Sequence, residues 1–241
     1  FTPSKGKAEG VEKEKPTQLF KNYATFGVGN YGTFIGELFV NHDLNNTDYV
    51  GGMFRHHSSE GGIKNVALEN RFFDTSLDLM YGSNQKDVSY NVDLGYQNQI
   101  YNWYGLPANF DSTLINGINP QQTYGTISLG GNVTLNESIL NKESLKYNHF
   151  SDASGSSENR FYAKPTVEFD VMDSAVKTNI IVDYVGGSFK NNYLNTNTTR
   201  VKYGFTNFGI IPSFVMQEDD WTLNIGAGLF YSLDTENSNN K

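Results

Sequence analysis

Cysteine is absent from the 241 residues. That excludes a disulfide framework, a thiolate-held zinc and a thiol nucleophile together. Charge is scarce: Asp, Glu, Lys and Arg make up 18%, against about 25% in an average soluble domain. Positive charge is scarcer still. Lys and Arg number 18 against 26 acidic residues, a formal net charge of -8, and the sequence pI is about 5.0. A chain this acidic lacks the basic surface that displaces counterions from nucleic acid, so no nucleic-acid partner is expected. No apolar run approaches the ~18 residues of a membrane helix, and the mean hydropathy is -0.50. A membrane crossing by strands stays open, because a barrel strand shows lipid only at every second residue. The first residues are polar and carry no signal peptide, so any export signal is expected to be removed or to lie outside these residues.

Aromatics are plentiful at 14%, with 24 Gly, 15 Tyr and 17 Phe but only 6 Pro. Aromatic side chains suit pleated surfaces and glycine suits turns and bulges, so the composition is that of an all-β protein. Residues 1–19 differ from the rest. They are rich in Lys, Glu, Gly and Pro, and read as a polar periplasmic lead-in with room for only a short helix at 11–15.

From Phe20 onward the dominant period is two. In the stretch 88–97, Val88, Tyr90, Val92, Leu94 and Tyr96 fall on one face, and Ser89, Asn91, Asp93, Gly95 and Gln97 on the other. The stretch 221–231 repeats the scheme with Phe230 as a misfit, and 161–170 and 75–81 repeat it again. Strands are expected at 21–30, 33–41, 48–57, 74–82, 87–98, 123–135, 144–151, 160–171, 176–186, 200–216 and 221–232. Most are near the ~9–11 residues that cross a bilayer at a tilt, whereas globular strands average about 5–6.

The connections alternate. Short ones fall at 42–47, 83–86, 136–143, 172–175 and 217–220, and long ones at 58–73, 99–122, 152–159 and 187–199, with a tight junction at 30–32. Tight periplasmic turns and long outer loops are the rhythm of an outer-membrane barrel. The expected fold is therefore an antiparallel transmembrane β-barrel over 20–241. Three features point to the N-terminal part of a larger barrel. About eleven strands is an odd number where single-chain bacterial barrels have an even one. An open edge would leave backbone groups unpaired in lipid. The last residues, 234–241, form a polar loop.

The polar faces supply candidate lumen residues: Asp78, Asp93, Lys164, Glu168, Asp170 and Asp183. On the surface of a soluble sandwich the same residues would be ordinary solvated side chains. Tyr81, Tyr96, Trp221 and Tyr231 end the apolar faces and are candidate interface anchors, because an amphipathic ring settles where hydrocarbon meets water. The loop at 99–122 carries Tyr101, Trp103, Tyr104 and Phe110. These aromatics either stack on sugars or fill a pore mouth, or fold the loop on itself. Adjacent strand residues point to opposite faces, so His56 and His57 cannot chelate one ion. The acidic run 218–220 reads as a solvated turn. The glycine pairs at 51–52, 61–62, 130–131 and 186–187 read as bulges and bends, since none follows a strand and opens a helix. Without a nucleophile–base pair, metal spacing or cofactor fingerprint, neither an enzyme nor a cofactor is expected.

Several segments resemble a known family. Phe20-Lys21-Asn22-Tyr23 followed by Gly27-Val28-Gly29-Asn30-Tyr31-Gly32-Thr33 resembles the first hairpin of TonB-dependent-receptor-like outer-membrane barrels of the Bacteroidota. Supporting segments are Tyr49 to His56 with Ser58 and Ser59, Tyr96 to Gln99 leading into Tyr101 to Gly105, and Tyr203 to Asn207. The resemblance implies a longer protein in the bacterial outer membrane, in contact with lipopolysaccharide and phospholipid. It transfers no site residue, and neither a plug domain nor a TonB box is identified here. The expected function is porin-like or receptor-like solute passage. The alternatives are a non-transporting barrel subunit of an outer-membrane secretion or assembly complex, partnered by other outer-membrane proteins or lipoproteins, and a soluble secreted β-sandwich binding module.

Overall fold

The computed structural model describes residues 20–107, 110–136, 138–171, 174–190, 200–218 and 220–235. The lead-in 1–19, with its room for a short helix at 11–15, Asp219, most of the loop 187–199 and the polar end beyond 235 lie outside them.

The strands are β1 (Tyr23–Val28), β2 (Phe34–Asp43), β3 (Asp48–Ser59), β4 (Phe72–Asn84), β5 (Val88–Asn102), β6 (Gln121–Leu135), β7 (Leu140–Asp152), β8 (Ser157–Ala163), β9 (Thr166–Val171), β10 (Ser174–Phe189), β11 (Val201–Glu218), β12 (Trp221–Gly226) and β13 (Leu229–Asp234). All belong to one antiparallel sheet in which chain neighbours are sheet neighbours, except that β8 and β9 lie end to end between β7 and β10, and β12 and β13 lie end to end along β11. Two short 3-10 turns, Asn30–Gly32 and Ser112–Gly117, are the helical content of the described residues.

The sheet has thirteen strands where the hydrophobic period suggests about eleven. The difference comes from proline. β8 and β9 both pair with β10 in one unbroken register, Val182 opposite Ala163 and Asn179 opposite Thr166. Pro165 stands between them and has no N–H to give the ladder, although its carbonyl still accepts from Ile180 N–H at 2.9 Å. β12 and β13 likewise share one register on β11. Their gap at Ala227 lies beside Pro212, whose carbonyl accepts the Ala227 N–H at 3.2 Å. Each proline interrupts a hydrogen-bond ladder without shifting the strand.

Strands run past the ends that periodicity marks. β5 continues to Asn102, β3 to Ser59 and β10 to Phe189. The outer connections shrink accordingly, and the loop expected at 152–159 is a tight turn over 153–156, closed by Asp152 N–H on the Ser156 carbonyl at 3.1 Å. The extensions mix polar and apolar residues on each face, so they carry no alternation to read.

Directly opposed residues of an antiparallel pair share a face. Following the register from strand to strand therefore sorts the whole sheet. One face collects Phe26, Leu38, Phe54, Leu79, Leu94, Leu129, Leu145, Phe161, Val182, Ile210 and Ile225. The other collects Glu37, Arg55, Asp78, Asp93, Gln97, Asn132, Arg160, Glu168, Lys177 and Asp183. The apolar band is finite. Along β5 it runs from Val88 to Tyr96, roughly 27 Å at the rise of an antiparallel strand. Beyond it the same face turns polar at Asn98, His149 and Asn159, where the Tyr147 hydroxyl and the His149 ring meet Asn159 Oδ1 at 2.7 and 2.8 Å.

This apolar face has no cover among the described residues. Leu129 is 50% exposed, Ile210 49%, Ile225 60% and Leu229 70%, and the one hydrophobic side chain of the described residues in the buried class is Leu68, which lies in the loop after β3. The sheet ends on β1 at one edge and on β12 with β13 at the other, and these edges do not pair with each other among the described residues. Direction alternates at every pair, so the two edges point the same way. A bond between them would be parallel, unlike every other pair of the sheet.

Candidate functional site

The polar face is the richest surface chemically, and a set of cross-strand polar contacts organises it. Arg55 on β3 donates from Nε to Ser76 Oγ and from Nη2 to Asp78 Oδ2, both at 3.2 Å. Asp74 accepts from Gln97 at 3.0 Å and from Gln99 at 3.1 Å. Asn132 donates to Asn91 at 3.2 Å, and Asn91 donates to Asp93 at 2.7 Å. On the far side of the sheet Arg160 makes a two-pronged bond to Asp183, at 2.8 and 2.7 Å. Lys177 pairs with Glu168 at 3.2 Å. These groups are half-exposed, so each ion pair adds at most about 1 kcal/mol to stability. Their main effect is to hold charged heads in place on a wet surface.

All six lumen candidates fall on this face. Asp78, Asp93, Glu168 and Asp183 are engaged as described. Asp170 stands opposite Ala175, and Lys164 joins β7 through its backbone, donating its N–H to the Ser144 carbonyl at 2.8 Å. The partners Arg55, Arg160 and Lys177 escape a reading of sequence, because an ion pair between strands depends on register rather than on spacing along the chain.

Tyr81, Tyr96, Trp221 and Tyr231 all lie on the apolar face. Tyr81 packs beside Tyr90 with ring centroids 6.1 Å apart. Phe230, the misfit of the last strands, is on the polar face, where a Cβ added at Gly209 would come within 2.7 Å of its ring. The same arrangement recurs on this face with Tyr49 over Gly82 and Tyr203 over Gly187. In each case an aromatic side chain covers backbone that a glycine leaves bare. Tyr203 also donates its hydroxyl to Glu158.

The loop candidates separate. Tyr101 is not a loop residue: it lies in β5, on the polar face, stacked on Tyr124 of β6 at 5.4 Å. Trp103 and Tyr104 follow the strand, and Trp103 is 63% exposed with its N–H on the Pro120 carbonyl at 2.9 Å. Phe110 N–H bonds the Pro107 carbonyl at 2.9 Å. Next to it Asp111 caps the short turn Ser112–Gly117 by accepting from Thr113 N–H and Oγ1 at 2.9 and 2.8 Å. Those two bonds hold its carboxyl below the usual carboxylate range.

His56 and His57 diverge as the strand geometry requires. His56 meets Thr75 Oγ1 at 2.7 Å on one face, and His57 packs edge-on against Phe72 at 4.9 Å on the other. Among the described residues no cluster of three or more His, Cys, Asp or Glu is placed to hold a metal ion, and no helix is long and apolar enough to cross a membrane. The chain matches no protein-family model and none of the curated proteins.

Proposed function

We propose that these strands form a wall of an outer-membrane β-barrel, with the apolar face to lipid and the polar face to a water-filled lumen through which solutes pass. One observation carries the reading: one face of the sheet carries an apolar band of finite height that runs from strand to strand, and nothing in the described protein covers it. A soluble protein exposing a face of this extent would aggregate, whereas in a bilayer the same face is matched by acyl chains. The sandwich alternative needs a second sheet packed ~10 Å away, and all described strands belong to one sheet. The resemblance to Bacteroidota barrels supports further strands in the full protein, and an odd number of them would let the two like-directed edges close through antiparallel pairs alone.

Planar-bilayer recording of the purified full-length protein tests the reading. Stepwise conductance from detergent-solubilised protein is the expected result. A silent barrel that copurifies with a fixed set of outer-membrane proteins would replace solute passage with the role of an assembly or secretion subunit. Protein that stays monodisperse without detergent would overturn the barrel itself.

A further inference from the structure

A row of rings crosses the polar face at the end of the strands nearest the long connections. His57 packs edge-on against Phe72 at 4.9 Å. Phe72 stands directly opposite Tyr101. Tyr101 stacks on Tyr124 at 5.4 Å with planes 30° apart, and Tyr124 on Phe150 at 5.7 Å and 21°. The row thus spans β3 to β7.

Neither of two ordinary explanations accounts for it. Interface aromatics belong on the apolar face, and register puts these rings on the other. A second use of rings on this face is to cover glycines, as Tyr49, Tyr203 and Phe230 do. Tyr101, Tyr124 and Phe150 cover none: the side chain nearest a Cβ at Gly125 would be Ser151, at 3.5 Å.

The centroid spacings exceed the ~3.5–4.0 Å of van der Waals contact between ring carbons, so neighbouring rings overlap only in part, like shingles. Each keeps an edge and part of a face open. Polar groups stand directly among them. Gln99 is opposite Tyr124, Thr126 opposite Phe150 and Asp152 opposite Tyr124 from the other side, while Gln97 and Gln99 converge on Asp74.

We propose that this row is a binding track for a linear oligosaccharide at the outer mouth of the lumen. The chemistry matches on both sides of a sugar. The C–H faces of a pyranose are apolar and rest on aromatic surface, while its ring of hydroxyls both donates and accepts, which amide and carboxylate side chains satisfy in pairs. A repeating chain of sugars uses a row of rings, where a single small solute would use one. The assignment rests on the solute-passage reading above.

The test is current block of the full-length protein in planar bilayers, with maltohexaose added from the long-loop side. Concentration-dependent interruptions are expected. Tyr124→Ala and Phe150→Ala should each raise the half-blocking concentration about 3- to 10-fold, the worth of one aromatic contact, with the open conductance retained. Tyr124→Phe, which keeps the ring, should block like the wild type. An open channel that the sugar does not interrupt, or that it blocks equally in the alanine variants, overturns the track. A channel that never opens counts against solute passage instead. Calorimetric titration of the detergent-solubilised protein with maltohexaose then decides the track alone: binding weakened by Tyr124→Ala supports it, and no binding overturns it.

Discussion

At the residue scale, the close fits between rings and glycines are the least forgiving positions. A Cβ at Gly82 would lie 2.3 Å from the Tyr49 hydroxyl, within a side chain held between two strands. Gly82→Ala is expected to destabilise the protein by about 1–3 kcal/mol through overpacking, and Tyr49→Ala in the same chain should recover part of the loss. Urea unfolding from lipid vesicles measures both. Asp111 gives a pH effect confined to the loop. Its carboxyl titrates below its unfolded value, so the cap is fully formed above that value and is lost as pH falls through the lowered one. The protection of the Thr113 amide hydrogen, its exchange rate relative to an unstructured amide at the same pH, should therefore fall on acidification, and Asp111→Ala should leave it unprotected at every pH.

At the element scale, the two faces of one strand make opposite demands. Leu129 sits mid-band on the apolar face of β6, and its neighbour Ser128 sits on the polar face. Leu129→Arg should cost about 2–4 kcal/mol, as a cation at the depth of the bilayer midplane does. Ser128→Arg should cost far less. Unfolding from vesicles compares the pair, and equal costs would mean that both faces meet the same solvent. Strand interiors were legible in the sequence because there one face is apolar and the other polar, so alternation is strongest. Strand ends were not, since Asn98, Ile100 and Asn102 no longer form an apolar stripe. That is why Tyr101 reads as a loop residue and belongs to a strand. Phe230 reads as a break in the pattern because the glycine it covers, Gly209, lies on another strand. The prolines have the reverse effect: hydrophobic period runs through Pro165, while the hydrogen-bond ladder does not.

At the scale of the whole molecule, the sheet resembles neither a soluble core nor an ordinary surface. Its apolar side chains converge on no interior, and its charged ones pair across strands on the opposite face. In the proposed barrel, a bilayer on one side and water on the other would resolve both features. The ring row and the Arg–Asp pairs are then parts of one wet surface, the rings toward the long connections and the ion pairs between them and the short turns. The most direct measurement is spin-label accessibility along β5, one label at a time from Val92 to Gln97. The account expects oxygen, which partitions into lipid, to reach labels at Val92, Leu94 and Tyr96, and a water-soluble nickel chelate to reach labels at Asp93, Gly95 and Gln97. Nickel access to all six positions, with no alternation, would contradict it.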